Sequence, residues 1–223
     1  MIVLDIESSG LDTGKCGIWQ IGSIDLENPK NYFLQEAKID EEDEIEKEAL
    51  IITGKTESEL RNPEKQTQKS LILNFLGWVK SYREKIMFGQ NVGWDITFIQ
   101  NKCLRYKIMD KFRETMGVRS IDLHALAQLK HKEIHNKFLI NESGRSEMSL
   151  KSILNFCGLE DKRKQSIGGE ISEGGTPHNA LEDCKLEGEC YYRIMFGKNL
   201  FPEYSKFKIP EILKKWKKKK QNI

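Results

Sequence analysis

Apolar residues fall into short runs through the first part of the chain. The runs "IVLDIE", "IWQIGSIDL" and "NYFLQEA" are rich in Ile, Leu and aromatic residues, and Gly, Asn, Pro and Asp stand between them. Short runs of this composition, separated by turn-forming residues, are typical of consecutive strands. We therefore predict three strands in succession, and a further strand at the later apolar run "KIMFGQNV".

Helical spacing follows these strands. In "TQKSLILNFLGWVKSYRE" the apolar residues recur at intervals of three or four positions. The segments "WDITFIQNKCLRYKI", "IDLHALAQLK" and "SLKSILNFCGL" show similar spacing. A last helix is predicted in "TPHNALEDCKLEGECYYRIMFG", with Thr176 as its N-cap and Pro177 in its first position. The Gly-rich "QSIGGEISEGGTP" before it is expected to be a mobile loop.

Three strands followed by alternating helices and strands predict an α/β protein with a mixed sheet and helices on its faces. The 223 residues, of which 38% are hydrophobic, suffice for one main domain. No stretch approaches the roughly 18 consecutive apolar residues of a membrane span, and the start lacks the order of a signal peptide. We therefore expect a cytoplasmic protein without membrane association. The five cysteines are scattered and form no CxxC pair, which predicts reduced thiols.

Charge is distributed unevenly along the chain. Residues 206–223 hold eight lysines and one glutamate, about +7, which leaves about −5 for the rest of a chain whose net charge is +2. The run "KKWKKKK" from Lys214 to Lys220 has the charge to neutralise phosphates, with Trp216 available to stack on a base. A frayed, solubilising terminus is the other interpretation. The acidic "EEDEIEKE" from Glu41 to Glu48 is predicted to be a solvated surface.

Two carboxylates lie inside the first apolar strand. Asp5 and Glu7 are two positions apart, so they point to the same face. A divalent cation would satisfy both, since hard oxygen ligands suit magnesium, manganese or calcium. For the pair alone, a strand face in water is the simpler interpretation. The surrounding apolar residues favour a central strand instead, and further acids should then converge on this pair.

The other candidate acids lie near helix starts. "GQNVGWD" puts Asp95 at a junction between a strand and a helix, where an acid is also a common N-terminal cap. "HNALED" puts His178 and Asp183 at the start of the last helix. A single histidine in such a place is more often a surface residue.

The segments "DIESSGL", "NVGWD" and "HNALED" resemble the three motifs of the DEDD-type 3′→5′ exonucleases, in the histidine-bearing (DEDDh, DnaQ-like) branch. The resemblance covers residues 1–198 and leaves residues 199–223 as a Lys-rich extension. It implies an RNase H-like mixed five-stranded sheet with helices on both faces. It also implies two Mg²⁺ or Mn²⁺ ions as cofactors, with His178 as general base. The implied metal ligands are Asp5, Glu7, Asp95 and Asp183.

The resemblance also implies a substrate. The expected substrate is DNA or RNA with a free 3′ end, cleaved by a two-metal-ion mechanism with release of nucleoside 5′-monophosphates. The implied substrate-binding residues are Ser8, Ser9, Gly10, Leu11 and Asn91. A homodimer, or association with a polymerase or another nucleic-acid enzyme, is compatible with it. Trp94 and Lys55 depart from the family pattern, and Lys55 affects base stacking rather than the chemistry.

Two other interpretations stay open at the level of sequence. An RNase H-like endonuclease would keep the fold and the metals, although the pairing of His178 with Asp183 counts against it. A nucleic-acid-binding or polymerase-accessory module would no longer cleave, although all five catalytic positions carry competent residues. A digestion experiment separates the three.

Overall fold

The structure is a computed structural model that describes residues 1–167, 170–171 and 174–214. Its strands are β1 (Ile2–Ser8), β2 (Ile18–Asp25), β3 (Tyr32–Glu36), β4 (Met87–Gly89), β5 (Ser120–Asp122), β6 (Ser166–Ile167) and β7 (Glu170–Ile171). Its α-helices are α1 (Lys47–Thr53), α2 (Glu57–Leu60), α3 (Gln68–Lys80), α4 (Val92–Arg105), α5 (Met109–Thr115), α6 (Leu123–His135), α7 (Leu150–Phe156), α8 (Ala180–Phe196) and α9 (Glu211–Lys214). A 3₁₀ helix spans Pro202–Lys206. None of the helices in the described ranges is long and apolar enough to cross a membrane.

The main sheet has five strands in the order β3-β2-β1-β4-β5, so β1 is the central strand. β1 pairs antiparallel with β2 and parallel with β4, and β2 pairs antiparallel with β3. The predicted mixed five-stranded sheet is thereby confirmed. β6 and β7 form a separate antiparallel pair within the Gly-rich segment, where we had expected only a loop.

The chain divides into two compact units. The first unit comprises Met1–Phe88, Val92–Ser120 and Lys162–Cys184, and the second comprises Gly89–Asn91, Ile121–Asp161 and Lys185–Ile223. The predicted boundary between residues 198 and 199 stays a prediction.

The core of the first unit lies between the sheet and the helices α3 and α4. Ile2 and Leu4 of β1, Phe75 of α3 and Ile99 of α4 are almost completely buried in one cluster. The helical spacing predicted that Phe75 and Ile99 face inward, but Leu104 of α4 and Leu129 of α6, which the same spacing placed inward, are exposed. Because apolar residues surround β1, a carboxylate on this strand has few places to meet water.

The acidic segment after β3 is not entirely solvated. Asp43 is buried, and its carboxylate accepts hydrogen bonds from Lys102 Nζ at 2.6 Å, Arg105 Nη1 at 2.6 Å and Gln68 Nε2 at 2.5 Å. The prediction of a wholly solvated surface was wrong at this position. A buried charge is tolerated here because cationic and amide donors surround it.

A second buried ion pair organises the second unit. Arg193 Nε donates to Glu189 Oε1 at 2.8 Å, and both side chains are fully buried. Glu189 also accepts from the backbone N–H groups of Leu200 and Phe201, and Arg193 donates to the carbonyl of Tyr204. The segment that follows α8 is therefore attached to that helix. Of the run from Lys214 to Lys220, all but Lys214 lies outside the described residues.

The five cysteines are all buried free thiols, as predicted.

Candidate active site

The site is built on the central strand. Glu7 is 7% exposed, and Asp5, two residues earlier, is half-buried. In the register of the sheet, Asp5 lies opposite Gly22 of β2 and Glu7 lies opposite Gln20. Gln20 and Gly22 therefore determine which segment of the chain packs beside Asp5 and Glu7.

Gln20 and Gly22 receive the start of α8. The side-chain oxygen of Gln20 accepts a hydrogen bond from the backbone N–H of Ala180 at 2.8 Å. At Gly22 a Cβ atom would lie 2.3 Å from the backbone carbon of Ala180 and 2.5 Å from the backbone nitrogen of Leu181. Only glycine leaves room for the helix backbone to approach this closely. The start of α8 is thereby brought against the strands beside the acids.

Asn179 caps this helix. Its Oδ1 accepts from the backbone N–H groups of Leu181 at 3.1 Å and Glu182 at 3.3 Å, and α8 begins at Ala180. The predicted start at Thr176 and Pro177 was wrong, because the Asn179 side chain satisfies the first free N–H groups instead. Thr176 pairs with Arg163 in an isolated bridge.

Three predicted residues form a compact group. Glu7, His178 and Asp183 each offer a ligand atom, and these atoms all lie within 4.8 Å of one another. Asp183 is only 4% exposed. Among the residues that the structure describes, Glu7 Oε1 is buried without a hydrogen-bond partner. Carboxylate oxygens suit a hard divalent cation, so this donor set fits one.

The electrostatics of Glu7 follow from this crowding. Burial raises the pKa of Glu7 well above its ordinary value, and the charges of Asp183 and Asp95 raise it further. Arg163 opposes the shift. A cation placed among these carboxylates would favour their ionised forms.

Asp95 lies beside the group rather than in it. Its Oδ1 accepts the backbone N–H of Ile6 at 3.1 Å. In the part of the chain that the structure describes, β4 pairs with β1 at Ile2 and Val3, so the later N–H of Ile6 is left for this side chain. The carboxylate thus binds the central strand next to Glu7. Within the described ranges, Asp5 and Asp95 are not members of the compact group of three.

His178 is held from two sides. Its backbone N–H donates to the carbonyl of Ile52 at 3.2 Å, and its ring Nε2 lies 2.9 Å from the carbonyl oxygen of Lys164. A carbonyl oxygen only accepts, so Nε2 carries the hydrogen of this bond. The other ring nitrogen, Nδ1, lies 3.6 Å from Asp183 Oδ2. In the neutral ring, Nδ1 is therefore the basic nitrogen and faces the carboxylates.

Arg163 is the residue that sequence reasoning missed. Its Nη1 lies 3.3 Å from Asp183 Oδ2, and its side chain is 12% exposed. It stands outside the three motifs, twenty residues before Asp183, and nothing in its immediate sequence marks it as part of a site.

The turn after β1 contains three of the predicted substrate contacts, Ser9, Gly10 and Leu11, and internal contacts hold its first two residues in place. Ser9 is fully buried: its hydroxyl donates to the carbonyl of Glu44 and accepts the backbone N–H of Gly17. At Gly10, a Cβ atom would lie 2.5 Å from the Glu46 side chain. The hydroxyl of Ser9 is therefore engaged within the turn, which it stabilises.

The remaining predicted contacts differ from one another. Ser8 donates its hydroxyl to the carbonyl of Gly10. Leu11 is 71% exposed, and its carbonyl accepts the indole N–H of Trp94 at 3.3 Å. Asn91, in the second unit, is exposed with a positive φ of 56°. Of these residues, Leu11 offers the largest apolar surface to a ligand.

The mixed sheet with acids on its central strand defines the class that the three motifs predicted, an RNase H-like protein of the DEDD type. The chain belongs to the RNase_T family, described as "Exonuclease", whose pattern matches residues 2–191. No curated protein matches the sequence.

Solved structures share the fold. Escherichia coli exonuclease I in complex with a dT13 oligonucleotide has a TM-score of 0.61 and 16% identity, over 86% of this chain and 40% of that one. The zinc-bound E. coli exonuclease I complex with single-stranded DNA has a TM-score of 0.60 and 17% identity, over 91% and 42%. The moderately thermophilic exonuclease I of Methylocaldum szegediense has a TM-score of 0.58 and 19% identity, over 89% and 41%. The chain thus spans about 40% of the length of these proteins.

Proposed function

We propose that this protein is a divalent-metal-dependent 3′→5′ exonuclease of the histidine-bearing branch. The observation that carries the proposal is the compact group of the buried Glu7 and Asp183 with the half-buried His178, whose ligand atoms lie within 4.8 Å of one another. Membership of the exonuclease family supports it. So does the likeness of the fold to exonuclease I, which has been crystallised with dT13 and dA16 oligonucleotides.

The carboxylates are the proposed metal ligands. Glu7 and Asp183 belong to the compact group, while Asp5 lies on the same strand and Asp95 is bonded to that strand at Ile6. Two Mg²⁺ or Mn²⁺ ions bound there would stabilise charge on the scissile phosphate and on the attacking and leaving oxygens. Four acids provide the negative charge that such ions need.

His178 is the proposed general base. The carbonyl of Lys164 fixes the hydrogen on Nε2, which leaves Nδ1 on the carboxylate side to take a proton from the attacking water. The hydrogen bond from the His178 backbone to Ile52 holds the main chain of this residue, and the Nε2 bond to Lys164 orients the ring. The histidine therefore acts without rotating its ring, provided that it is neutral.

The exposed Leu11 is the proposed contact for the terminal base. Its carbonyl is tied to Trp94, which limits the movement of the turn. Ser8, Ser9, Gly10 and Asn91 stay predicted substrate contacts. Single-stranded DNA is the first substrate to test, because oligonucleotides of this kind are bound to exonuclease I. Dimerisation and association with a polymerase stay predictions.

A digestion panel tests the proposal. Single-stranded and duplex DNA and RNA, each labelled at the 5′ end and carrying either a free or a blocked 3′ terminus, are incubated with Mg²⁺, Mn²⁺ or a chelator. The proposal predicts ladders that shorten from the 3′ end, protection by the 3′ block, and nucleoside 5′-monophosphates as products. Internal cuts in the blocked substrate would indicate an endonuclease. Binding without cleavage under all metal conditions would indicate an accessory module.

A further inference from the structure

A basic side chain lies against the proposed metal ligands. The guanidinium of Arg163 approaches Asp183 Oδ2 to 3.3 Å, and the Asp183 side chain is 5% exposed. An arginine is always charged in a protein, so the pair buries a full positive charge beside a carboxylate. The same carboxylate belongs to the group of Glu7, His178 and Asp183.

The backbone of Arg163 is built into the fold. It pairs with Thr176, and on either side the backbone N–H of Thr176 donates to the carbonyl of Lys162 while that of Lys164 donates to the carbonyl of Thr176. Gly175, with φ of 109°, packs so closely that a Cβ atom would lie 2.9 Å from the carbonyl oxygen of Arg163. These contacts fix the backbone that carries the guanidinium. The approach of Arg163 to Asp183 is therefore not the chance contact of a side chain on an unconstrained surface segment.

The charges explain why a cation is needed here. Glu7, Asp95 and Asp183 are each less than a tenth exposed, and their carboxylates interact. Without a positive charge nearby, ionised carboxylates at this spacing repel one another in a poorly solvated site. A divalent cation would remove that repulsion, and so, in part, does a guanidinium.

We propose that Arg163 is a tethered cation that takes the place of a metal ion beside Asp183 and competes with divalent metal for this site. The proposal rests on the proposed function in that Asp183 is taken as a metal ligand. It assigns Arg163 two measurable effects: it stabilises the metal-free protein, and it weakens divalent metal binding. Arg163 is thus a positioning residue for the carboxylates, not a group that reacts.

Mn²⁺ binding to the full-length protein tests this competition. Free Mn²⁺ is measured by electron paramagnetic resonance during titration of wild type, Arg163→Gln, Arg163→Lys and Arg83→Gln. Arg83 is exposed in the segment after α3, so its replacement removes the same charge away from the site. Arg163→Gln should bind Mn²⁺ at least about tenfold more tightly, because removing a positive charge roughly 6 Å from a dication changes the affinity about tenfold even at the dielectric of water. The affinity of Arg163→Lys for Mn²⁺ should stay near that of wild type, and the affinity of Arg83→Gln should equal that of wild type.

Thermal unfolding supplies the second readout. In a chelator, Arg163→Gln should melt below wild type, and Arg163→Lys should recover part of the loss. Saturating Mn²⁺ should raise the melting temperature of Arg163→Gln more than that of wild type. A purely structural arginine would give the lower melting temperature without tighter metal binding.

Unchanged or weaker Mn²⁺ binding by Arg163→Gln would overturn the proposal, as would a failure of every variant to bind Mn²⁺. The proposed nuclease activity fails separately. If the variants bind Mn²⁺ in the expected order but no nucleic acid is digested, the competition stands and the proposed function does not.

Discussion

The side-chain oxygen of Gln20 accepts a hydrogen bond from the backbone N–H of Ala180 at 2.8 Å, across 160 positions of sequence. Gln20 is the partner of Glu7 in the neighbouring strand. Ala180 begins the helix that carries Asp183. This one bond therefore connects the strand beside the first acidic motif to the helix of the third. It explains how two motifs far apart in sequence form one group of side chains.

Gly22→Ala should disrupt this connection. The new methyl group would lie 2.3 Å from the backbone carbon of Ala180, so the start of α8 must shift away from β2. We expect a loss of about 1–3 kcal/mol in the free energy of unfolding, as for other overpacked sites, together with weaker Mn²⁺ binding. Urea unfolding and Mn²⁺ titration measure the two effects.

Gly77→Ala is the matched control, because a Cβ atom there meets nothing within 4 Å. It lies in α3, so alanine should leave metal binding unchanged and stabilise the protein by up to about 1 kcal/mol. A Gly22→Ala variant as stable and as metal-competent as this control would show that the close approach of α8 is not required.

The sequence was sufficient to predict the sheet and to identify Glu7 and Asp183 as candidate acids that lie close together, but not to identify the residues that bring them together. Asp5, Glu7, Asp95 and Asp183 are carried by motifs of recognisable order. Gln20 and Gly22 lie in an ordinary apolar strand, and their role depends on which backbone packs against them. Arg163 was missed for a similar reason. Its place beside Asp183 arises from pairing between the segments around Arg163 and Thr176, which no periodicity reveals.

Asp43→Asn should destabilise the protein strongly. It would leave Lys102 Nζ, which is 2.6 Å away and 1% exposed, without its carboxylate. Breaking a buried pair in this way costs roughly 3–5 kcal/mol. Glu41→Ala, an exposed acid in the same segment, should stay within about 0.5 kcal/mol of wild type in urea unfolding. Equal stability of the two variants would contradict the role of Asp43.

The Asp43 carboxylate should also make the free energy of unfolding depend on pH. Burial acts to raise the pKa of Asp43, but hydrogen bonds from Lys102, Arg105 and Gln68 outweigh it and lower the pKa below its ordinary value of 3.8. Its contribution is therefore present above the unfolded pKa and is lost as the pH falls through the folded pKa. Urea unfolding between about pH 6 and pH 3 should show a steeper loss in wild type than in Asp43→Asn. Parallel curves would contradict this.

Asp43 also shows where patterns of charge mislead. A run with six acids among eight residues is normally solvated, and the neighbours of Asp43, namely Glu41, Glu42 and Glu44, are exposed here. The exception arises because α4 presents Lys102 and Arg105 to the middle of the run. The start of α8 is a comparable case. Thr176 and Pro177 are residue types that commonly begin a helix, but Asn179 is the residue whose side chain accepts hydrogen bonds from the first N–H groups of α8.

The lysine-rich end should contribute to nucleic-acid binding. Residues 206–214 include Ile209 and Leu213, which are buried, so a truncation before them would damage the fold. Removal of residues 215–223 should weaken binding of a single-stranded oligonucleotide and flatten its salt dependence, because fewer counterions are released. Turnover at saturation should hardly change. Fluorescence anisotropy at several salt concentrations measures this, and an unchanged affinity and salt slope would assign the segment to solubility.

His178→Ala and Asp5→Asn should fail in different ways. The first variant keeps all four acids, so Mn²⁺ should still bind while turnover falls by roughly 10²–10⁴-fold. The second lacks a proposed ligand charge, so Mn²⁺ binding and turnover should fall together. Titration with Mn²⁺ and single-turnover digestion distinguish them. Near wild-type turnover in His178→Ala would exclude the histidine as general base.

The most direct measurement follows a single-stranded oligonucleotide labelled at its 5′ end, incubated with Mg²⁺ and either wild type or Asp183→Asn. Asp183 is a buried acid that belongs to the group of Glu7, His178 and Asp183 and that also contacts Arg163. We expect wild type to produce a ladder that shortens from the 3′ end, and we expect Asp183→Asn to leave the oligonucleotide intact although the variant folds. Equal ladders from both proteins would contradict the assignment of this site, and an intact oligonucleotide with wild type would contradict the proposed activity on single-stranded DNA.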